Sequence, residues 1–175
     1  MKNILVPTDF SLQSLSIIHD IVSKESERVK IHLFHMVLIP NDLTDLLFLR
    51  KSHLHAQVPD NFREAIQLLR NKYQKQVAKI DFSFYYGSRA SVVSSIIESN
   101  NIDRVYMLAN YQYKQPLPSS VNIMPLVEKC KLPVEKVNLR GKAFSQAQTG
   151  AFSALLANQY ADVYFNEEMT EAVND

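Results

Sequence analysis

The chain has 175 residues, of which 46% are hydrophobic and 21% are charged, and its formal net charge at pH 7 is +1. This length and composition predict one ordinary globular domain with a short appendage. The near-neutral charge excludes a nucleic-acid binder that depends on a basic surface.

The first predicted strand is the apolar run at residues 4–7, which ends in a proline. Asp9 follows at the carboxyl end of this strand, and Ser11 is a suitable N-cap for a helix predicted over residues 12–24. A second buried strand is predicted over residues 29–37, which are rich in β-branched and aromatic side chains. In an open parallel sheet, ligands bind at this edge beside the first strand, so Asp9 is a candidate binding residue.

Strands and helices continue to alternate through the middle of the chain. A short helix is expected over residues 43–49, and a clearer one over residues 59–77. The later elements are a strand at 81–86, a helix opened by Ser88 or Ser91 and ended by Asn100, a strand at 104–109, a loop at 110–119, a helix at 121–130 that Pro125 delays or kinks, and a strand at 133–139. This alternation predicts an α/β fold with a parallel sheet and right-handed crossovers.

Residues 140–175 do not continue this alternation. Phe144, Ala147, Ala151 and Leu155 have helical spacing, which predicts a C-terminal helical extension with a frayed acidic end. The predicted organisation is therefore an α/β domain over residues 1–139 and an extension over residues 140–175. The extension packs either on its own subunit or on a second copy of the chain, and the sequence favours neither.

Glycine usage argues against a phosphate-binding loop. The chain has only three glycines, Gly87, Gly141 and Gly150, and they are scattered. A loop that cradles phosphate needs clustered glycines, because its backbone must approach the anion closely and often with positive φ. Neither a G-x-G-x-x-G pattern nor a P-loop pattern occurs in the sequence.

Several short segments together resemble the universal stress protein family, part of the adenine-nucleotide α-hydrolase-like superfamily. They are Ile4-Leu5-Val6-Pro7-Thr8-Asp9-Phe10-Ser11, Leu33-Phe34-His35-Met36-Val37, Tyr86-Gly87, Asp103-Arg104-Val105-Tyr106-Met107-Leu108-Ala109 and Leu132-Pro133-Val134. The resemblance covers residues 1–139. It implies a five-stranded parallel sheet of order 3-2-1-4-5 with helices on both faces, and homodimers paired through the last strand.

The loop after the fourth strand departs from the ATP-binding members of that family. Those members carry G-x-x-G, nine further residues, and then G-S or G-T. Here Ala109 and Gln112 occupy the first two glycine positions, the spacing to Ser119-Ser120 is shorter, and Pro116 and Pro118 lack N–H donors. This departure predicts that neither ATP nor another cofactor is bound. The family's nucleotide site would survive as a vestige, and its positions are Asp9, Val37, Ala109, Ser119 and Ser120.

The residues around this vestigial site allow two interpretations each. Asp9 contacts adenine or ribose if the resemblance extends to the ligand, or else accepts hydrogen bonds from nearby backbone N–H groups. Tyr111 and Tyr113 either stack on a base or fill the empty cleft. Filling is favoured, because large aromatic residues in place of glycines close a pocket. Lys114 either reaches an anion or is simply solvated.

No metal site and no catalytic residue are assigned. His32 and His35 are three apart on a strand, so they point to opposite faces of the sheet. His53 and His55 share a face if that segment is extended, but no third ligand is evident. Cys130, the only cysteine, lacks a recognisable His–Asp arrangement and favours a reducing, cytoplasmic location.

These features predict a cytoplasmic, homodimeric, universal-stress-protein-like binding or scaffold protein with an unknown protein partner, and not an enzyme. No nucleic-acid partner is expected, because the net charge is near neutral. No membrane partner is expected, because no stretch of the sequence is long enough to span a bilayer. The alternative is an adenine-nucleotide-binding regulator or weak ATPase that uses Asp9, Val37, Ser119 and Ser120 with an altered loop. A third hypothesis is a cleft recruited for another small ligand.

Overall fold

The computed structural model of the protein describes residues 1–39, 51–130 and 132–138. The chain divides into two units, Met1–Arg140 and Gly141–Asp175. The second unit, which holds the predicted extension, lies outside the described residues, as does the helix predicted over residues 43–49. The organisation into a domain and a helical extension therefore stays a prediction.

Five strands form one parallel sheet. They are β1 (Lys2–Pro7), β2 (Val29–Val37), β3 (Val77–Tyr86), β4 (Arg104–Ala109) and β5 (Val134–Asn138). Their order is β3-β2-β1-β4-β5, and every neighbouring pair is parallel, which confirms the predicted fold. The direction of the strand order reverses between β1 and β4. The crevice that open parallel sheets use for ligands lies at that point, outside the carboxyl ends of the strands.

The helices of the described chain lie in the connections between these strands. They are α1 (Leu12–Leu15), α2 (Ile17–Lys24), α3 (Lys51–Ala56), α4 (Asp60–Lys72), α5 (Ala90–Ser99) and α6 (Met124–Val127). In this part of the chain, no helix combines the length and the apolar character that crossing a membrane requires.

Successive side chains along a strand point to opposite faces of the sheet, and buried side chains pack on both faces. Phe34 of β2 belongs to a buried cluster with Val93 of α5 on one face. On the other face, the ring of His35 packs against Phe10, which in turn packs against Phe62 of α4. The α/β architecture predicted from the alternation of strands and helices is therefore confirmed.

The helix predicted over residues 12–24 is two helices separated at Ser16. The Ser16 N–H and hydroxyl both donate to the Gln13 carbonyl, at 3.2 and 2.7 Å. These bonds tighten the turn into i-to-i+3 geometry and interrupt the α-helical pattern. The start of α1 is as predicted, because Ser11 is its N-cap and accepts a hydrogen bond from the Ser14 N–H.

The boundary between α4 and β3 differs from the prediction. The helix predicted to reach residue 77 ends at Lys72, and Tyr73 is its C-cap. Val77, the last residue of the predicted helix, instead begins β3 and pairs with Val29 of β2. A buried, β-branched valine fits the apolar spacing of the helix and the start of a strand equally well, so its burial did not distinguish the two.

The segment that carries His53 and His55 is helical rather than extended. Both residues lie in α3, where positions two apart do not share a face, so the condition for a shared orientation, an extended segment, is not met. The His55 ring packs against Phe82 and Phe84 of β3, with ring centroids 5.0 and 5.4 Å apart.

The two later helices also begin differently from the prediction. Arg89, rather than Ser88 or Ser91, is the N-cap of α5, and its side chain makes no capping bond. The helix ends at Asn100 as predicted. The helix α6 is shorter than the predicted 121–130, and Pro125 lies in its first turn, in keeping with a delayed start.

A charge cluster around the buried Glu25 carboxylate joins β1 and β4 at the opposite edge of the sheet from the crevice. The Glu25 carboxylate accepts hydrogen bonds from Lys2 Nζ at 2.7 Å and Tyr106 Oη at 2.8 Å, and Arg104 lies 3.4 Å away. Burial opposes ionisation of Glu25, but these partners outweigh it and lower its pKa. Burial and the bond to Glu25 together raise the pKa of Tyr106 to about 12.

Candidate functional site

The turn that follows β1 is built from short polar side chains. The Thr8 hydroxyl accepts the Phe10 N–H at 3.1 Å, and Asp9 Oδ1 accepts the Ser11 N–H at 3.1 Å. Threonine and aspartate favour such turns because their side chains bond to the backbone two residues ahead. Phe10 has a φ of 59°, an uncommon value for a bulky residue. Its ring is buried between His35 and Phe84, with centroids 4.7 and 5.2 Å away, which holds the turn in this shape.

Both carboxylate oxygens of Asp9 are occupied by donors from the chain itself. Asp9 is only 3% exposed. Its Oδ1 accepts the Ser11 hydroxyl at 2.6 Å as well as the Ser11 N–H. Its Oδ2 accepts the Tyr111 hydroxyl at 2.5 Å and the Lys114 N–H at 2.8 Å. A carboxylate offers about four acceptor positions, so the one on Asp9 has little capacity left for a ligand.

Tyr111 is fixed by two partners in the β1 turn. Besides donating to Asp9, its hydroxyl oxygen lies 2.6 Å from Ser11 Oγ. Burial raises the pKa of Tyr111, and the hydrogen bond to the Asp9 carboxylate raises it further. The phenol therefore stays protonated and remains a donor to Asp9 at physiological pH.

His35 is fully buried beneath the same loop. Its Nδ1 lies 2.8 Å from the Thr8 carbonyl and its Nε2 lies 2.8 Å from Ser120 Oγ. A carbonyl can only accept, which assigns the proton to Nδ1 and makes Nε2 the acceptor of the Ser120 hydroxyl. Burial lowers the pKa of His35, against the opposing effects of Thr8 and Asp9, so the imidazole is neutral at physiological pH.

Tyr113 covers His35 on the side of the loop. The two rings are stacked, with an interplanar angle of 15° and centroids 6.1 Å apart. The Tyr113 hydroxyl lies 2.9 Å from His35 Nδ1 and donates to the Thr8 carbonyl over 3.4 Å. Both tyrosines of the loop thus contact the turn after β1, and Tyr113 also packs on β2, in agreement with the interpretation that they fill the cleft.

Four backbone N–H groups of residues 114–121 have partners within the protein. The amides of Lys114, Leu117, Ser120 and Val121 donate to Asp9 Oδ2, Ser120 Oγ, the Leu117 carbonyl and the Met36 carbonyl, at 2.8, 3.0, 3.0 and 2.9 Å. Pro116 and Pro118 have no N–H to offer. This stretch therefore has few amides available to surround an anion.

The other positions expected from the resemblance lie at the same edge of the sheet. Val37 and Ser120 form an antiparallel bridge, and the Leu38 N–H donates to the Ser119 carbonyl at 2.7 Å. Ala109 ends β4 opposite Asn138 of β5. Val37 and Ser120 are thus brought together, while Asp9 is linked to Ser120 only through Thr8 and His35.

The Ser120–His35 pair has the contact that nucleophilic catalysis uses, but lacks its other features. A serine nucleophile needs a neighbouring base that is itself oriented by a third group. Here the third group is the Thr8 backbone carbonyl, which cannot stabilise an imidazolium as a carboxylate does. Ser120 is 5% exposed and also accepts the Leu117 N–H, so its hydroxyl is a structural link.

The remaining histidines give no metal site. Among residues 1–39, 51–130 and 132–138, no group of three or more His, Cys, Asp or Glu side chains is arranged to hold an ion. His32 and His35 point to opposite faces, as predicted, because His32 pairs with Asp81 at 3.0 Å while His35 is enclosed by rings. Burial opposes ionisation of Asp81, but hydrogen bonds from His32 and Lys79 outweigh it and lower its pKa to about 2.

Solved structures with the same fold include universal stress proteins. UspA from Lactobacillus plantarum has a TM-score of 0.52 and 14% identity over 79% of this chain and 97% of its own. The hypothetical protein MJ0577 has a TM-score of 0.52 and 17% identity over 81% and 98% of the two chains. The hypothetical protein PH0823 has a TM-score of 0.51 and 15% identity over 81% and 99%. No protein-family model and no curated protein matches the sequence.

The chain therefore has the doubly wound α/β fold seen in universal stress proteins, with five parallel strands in the order 3-2-1-4-5. At these sequence identities the likeness concerns the fold alone. The function must be argued from the site itself.

The Ser11 N–H bonds to Asp9, as one of the two sequence interpretations of Asp9 expects, but the role of His35 and the side-chain donors to Asp9 have no counterpart in the sequence analysis. His35 was considered only as a metal ligand, although its place near the end of a buried strand next to Val37 is a signal for a role in the crevice. The contact between Ser11 and Tyr111 has no sequence signal, because the two residues are 100 positions apart.

Proposed function

We propose that this protein is a universal-stress-protein-like binding or scaffold protein, and not a catalyst, whose crevice is closed by its own loop and does not bind ATP. Its partners would then be other proteins, including a second copy of the chain. The observation that carries the proposal is the occupation of both Asp9 oxygens by Ser11, Tyr111 and Lys114.

A ligand entering the crevice would have to replace these contacts before it gained any of its own. Hydrogen bonds to a charged group contribute about 1.5–3 kcal/mol each. A ribose hydroxyl could at best restore one of the bonds that Tyr111 and Lys114 now make with Asp9. Displacing both side-chain and backbone donors therefore lowers affinity by orders of magnitude.

The loop after β4 offers poor stabilisation to a triphosphate. Phosphate-binding loops hold their anion with several converging backbone N–H groups. In this loop the Lys114 and Leu117 amides are already bonded, and Pro116 and Pro118 have none. Lys114 is the only cation in the loop, and its side chain is exposed to solvent.

A nucleotide-binding regulator or weak ATPase is the second candidate. It is favoured by the position of Asp9, Val37 and Ser120 at one edge of the sheet, at the reversal of strand order. In that case the loop would have to move and expose Asp9, and Ser119 and Ser120 would meet the phosphates in place of glycine amides.

Titration calorimetry with Mg²⁺–ATP separates the two candidates. The wild-type protein is compared with Asp9→Asn, which keeps the size of the side chain and removes its charge, and with Glu64→Gln as an exposed control. We expect none of the three proteins to bind Mg²⁺–ATP with a Kd below about 1 mM, an order-of-magnitude limit for a site without its phosphate donors. Sub-millimolar binding by the wild type and Glu64→Gln that is lost in Asp9→Asn would establish the nucleotide-binding candidate instead.

The homodimer is tested separately by light scattering. The proposed interface is the outer edge of β5, which pairs with β4 on its other side. Exposed strand edges associate readily because their backbone groups need partners. We expect a mass of twice the chain mass at micromolar concentration, whereas a monomer at that concentration would contradict the proposal.

A further inference from the structure

Residues 110–116, which we call the strap, cross the crevice and are held at its two ends in different ways. Asn110 begins the strap directly after β4 with a φ of 53°, a left-handed conformation that asparagine tolerates. Beyond the strap, Leu117 and Ser120 are buried. The Leu117 N–H donates to Ser120 Oγ, and the Ser120 hydroxyl donates to His35 Nε2. The middle of the strap contacts the body chiefly through two tyrosine side chains and the Lys114 amide.

Tyr111 makes the contacts that a bound hydroxyaromatic compound would make. Its hydroxyl lies 2.5 Å from Asp9 Oδ2 and 2.6 Å from Ser11 Oγ. Asp9 is 3% exposed, and no cation pairs with it in the described chain, so these donors replace the water that it lost on folding. Tyr113 repeats the arrangement beside it, with its ring on His35 and its hydroxyl near Thr8.

We propose, on the basis of the function proposed above, that the strap is an autoinhibitory element that fills the crevice with Tyr111 as a tethered ligand of Asp9. The underlying site recognises a hydroxyaromatic ring, and a free phenol binds there once the Tyr111 side chain is removed. The recognition chemistry consists of the Asp9 carboxylate as hydrogen-bond acceptor for the phenol, with the Ser11 hydroxyl, which also donates to Asp9, beside the phenol oxygen.

The tether explains why the site is closed to free ligands in the wild-type protein. A group held by a short segment of chain acts at an effective concentration on the order of millimolar or higher. A small phenol of eight heavy atoms reaches a Kd of only about 1 mM in a site of this size. The Lys114 amide and the Tyr113 ring hold the strap in place, so the effective concentration of the Tyr111 ring lies well above this Kd and a free phenol competes poorly for the same contacts.

The test removes the tethered ring and supplies it in solution. Tyr111→Ala is titrated with p-cresol, the free equivalent of the tyrosine side chain, and the backbone amide of Lys114 is followed by NMR. We expect saturable binding with a Kd of about 1 mM. Toluene, which lacks the hydroxyl, should bind at least about ten-fold more weakly, since the hydrogen bond to the charged acceptor is missing. The wild-type protein should respond to neither compound.

Tyr85→Ala is the matched control. Tyr85 is also half-buried, but its hydroxyl accepts a hydrogen bond from Asn100 Nδ2 at 3.3 Å and donates to no carboxylate among the described residues. Its cavity should not distinguish p-cresol from toluene. The proposal would be overturned if Tyr111→Ala bound both compounds equally or bound neither. It would also be overturned if the wild type responded to p-cresol as strongly as Tyr111→Ala does. None of these results depends on ATP, so the proposed function stands or falls separately in its own titration.

A second variant keeps the proposal testable if Tyr111→Ala does not fold. Tyr111→Phe retains the ring and loses only the hydroxyl, with its contacts to Asp9 and Ser11. We expect the Lys114 amide to exchange with solvent at least about ten-fold faster, while the Leu117 amide, bonded to Ser120 beyond the strap, is unchanged. Unchanged exchange at Lys114, or equal acceleration at both amides, would contradict a strap held shut by Tyr111.

Discussion

The Asp9 carboxylate and the Tyr111 hydroxyl, 102 residues apart in the chain, are joined by a hydrogen bond of 2.5 Å. Asp9 belongs to the turn after β1 and Tyr111 to the loop after β4, the two strands between which the strand order reverses. This single contact closes the crevice where a doubly wound sheet is most suited to bind a ligand. Substitution of Asp9 is therefore expected to change both the stability of the protein and its selectivity for ligands.

Replacement of Asp9 by alanine is expected to destabilise the protein by about 3 kcal/mol, because several buried donors lose their acceptor at once. The free energy of unfolding in urea measures the effect. Glu64→Ala, an exposed acidic residue on α4, should change it by less than about 0.5 kcal/mol. Equal effects of the two substitutions would mean that the Asp9 contacts do not hold the loop.

His35 is expected to make the protein less stable in mild acid. Its pKa in the folded state is below the ordinary value of 6.5, so the unfolded chain binds the proton more tightly. The contribution is complete above pH 6.5 and is lost as the pH falls from there towards the lowered pKa. His35→Gln should lower stability overall and flatten the pH dependence of the unfolding free energy between about pH 7 and pH 5.

His19 provides the comparison for this measurement. Burial and the neighbouring Lys72 also lower the pKa of His19, against the effect of Asp20. His19→Gln should therefore remove a separate part of the same slope, and the double variant should be flatter than either. A slope in His35→Gln that matches the wild type would show that the buried imidazole does not govern the acid response.

Asp81 is expected to contribute stability at neutral pH that disappears in strong acid. Its pKa of about 2 lies below the ordinary value of 3.8, so the stabilisation is present above pH 3.8 and lost as the pH falls through 2. Asp81→Asn should cost about 1 kcal/mol at pH 7, after allowing for solvent around this partly exposed group. Asp60→Asn, at a side chain that is 97% exposed, should have little effect. If the difference in unfolding free energy between Asp81→Asn and the wild type were as large at pH 2 as at pH 7, the lowered pKa of Asp81 would be contradicted.

Gly87 is expected to tolerate no side chain. It follows β3 with a φ of 138°, and a Cβ at this position would lie 2.9 Å from Val92 Cγ2 of α5. Gly87→Ala should therefore destabilise the protein by about 2 kcal/mol through backbone strain and displacement of Val92. Thermal unfolding compares it with Ser88→Ala, its exposed neighbour. A melting temperature equal to that of Ser88→Ala would show that this turn relaxes freely.

The strands were predicted more accurately than the helix boundaries. The bounds of β2 and β4 agree with the prediction, because a fully buried parallel strand is a continuous apolar run that ends at polar residues. Residues 73–77 follow the apolar spacing of α4 but lead into β3. Pairing of Val77 with Val29, a tertiary contact, decided where the strand begins.

The helix around His55 and the cap of α5 show the same limit. Residues 51–56 carry a weak local signal, and the packing of His55 on Phe82 and Phe84 accompanies their helical conformation. Arg89 is the N-cap of α5 although serines stand nearby. An N-cap without a side-chain capping bond costs a helix about 1 kcal/mol, and the burial of one apolar side chain outweighs this cost.

By itself, the sequence determined the parallel α/β class, the acidic residue after β1 and the scarcity of glycine after β4. Those properties follow from periodicity and from residue types that are close together in the chain. Only the tertiary structure decided that the phenol of Tyr111 and the amide of Lys114 satisfy Asp9, and that His35 is linked to Ser120. The physical reason is that a buried carboxylate must find donors, and which donors are within reach depends on the order of the strands.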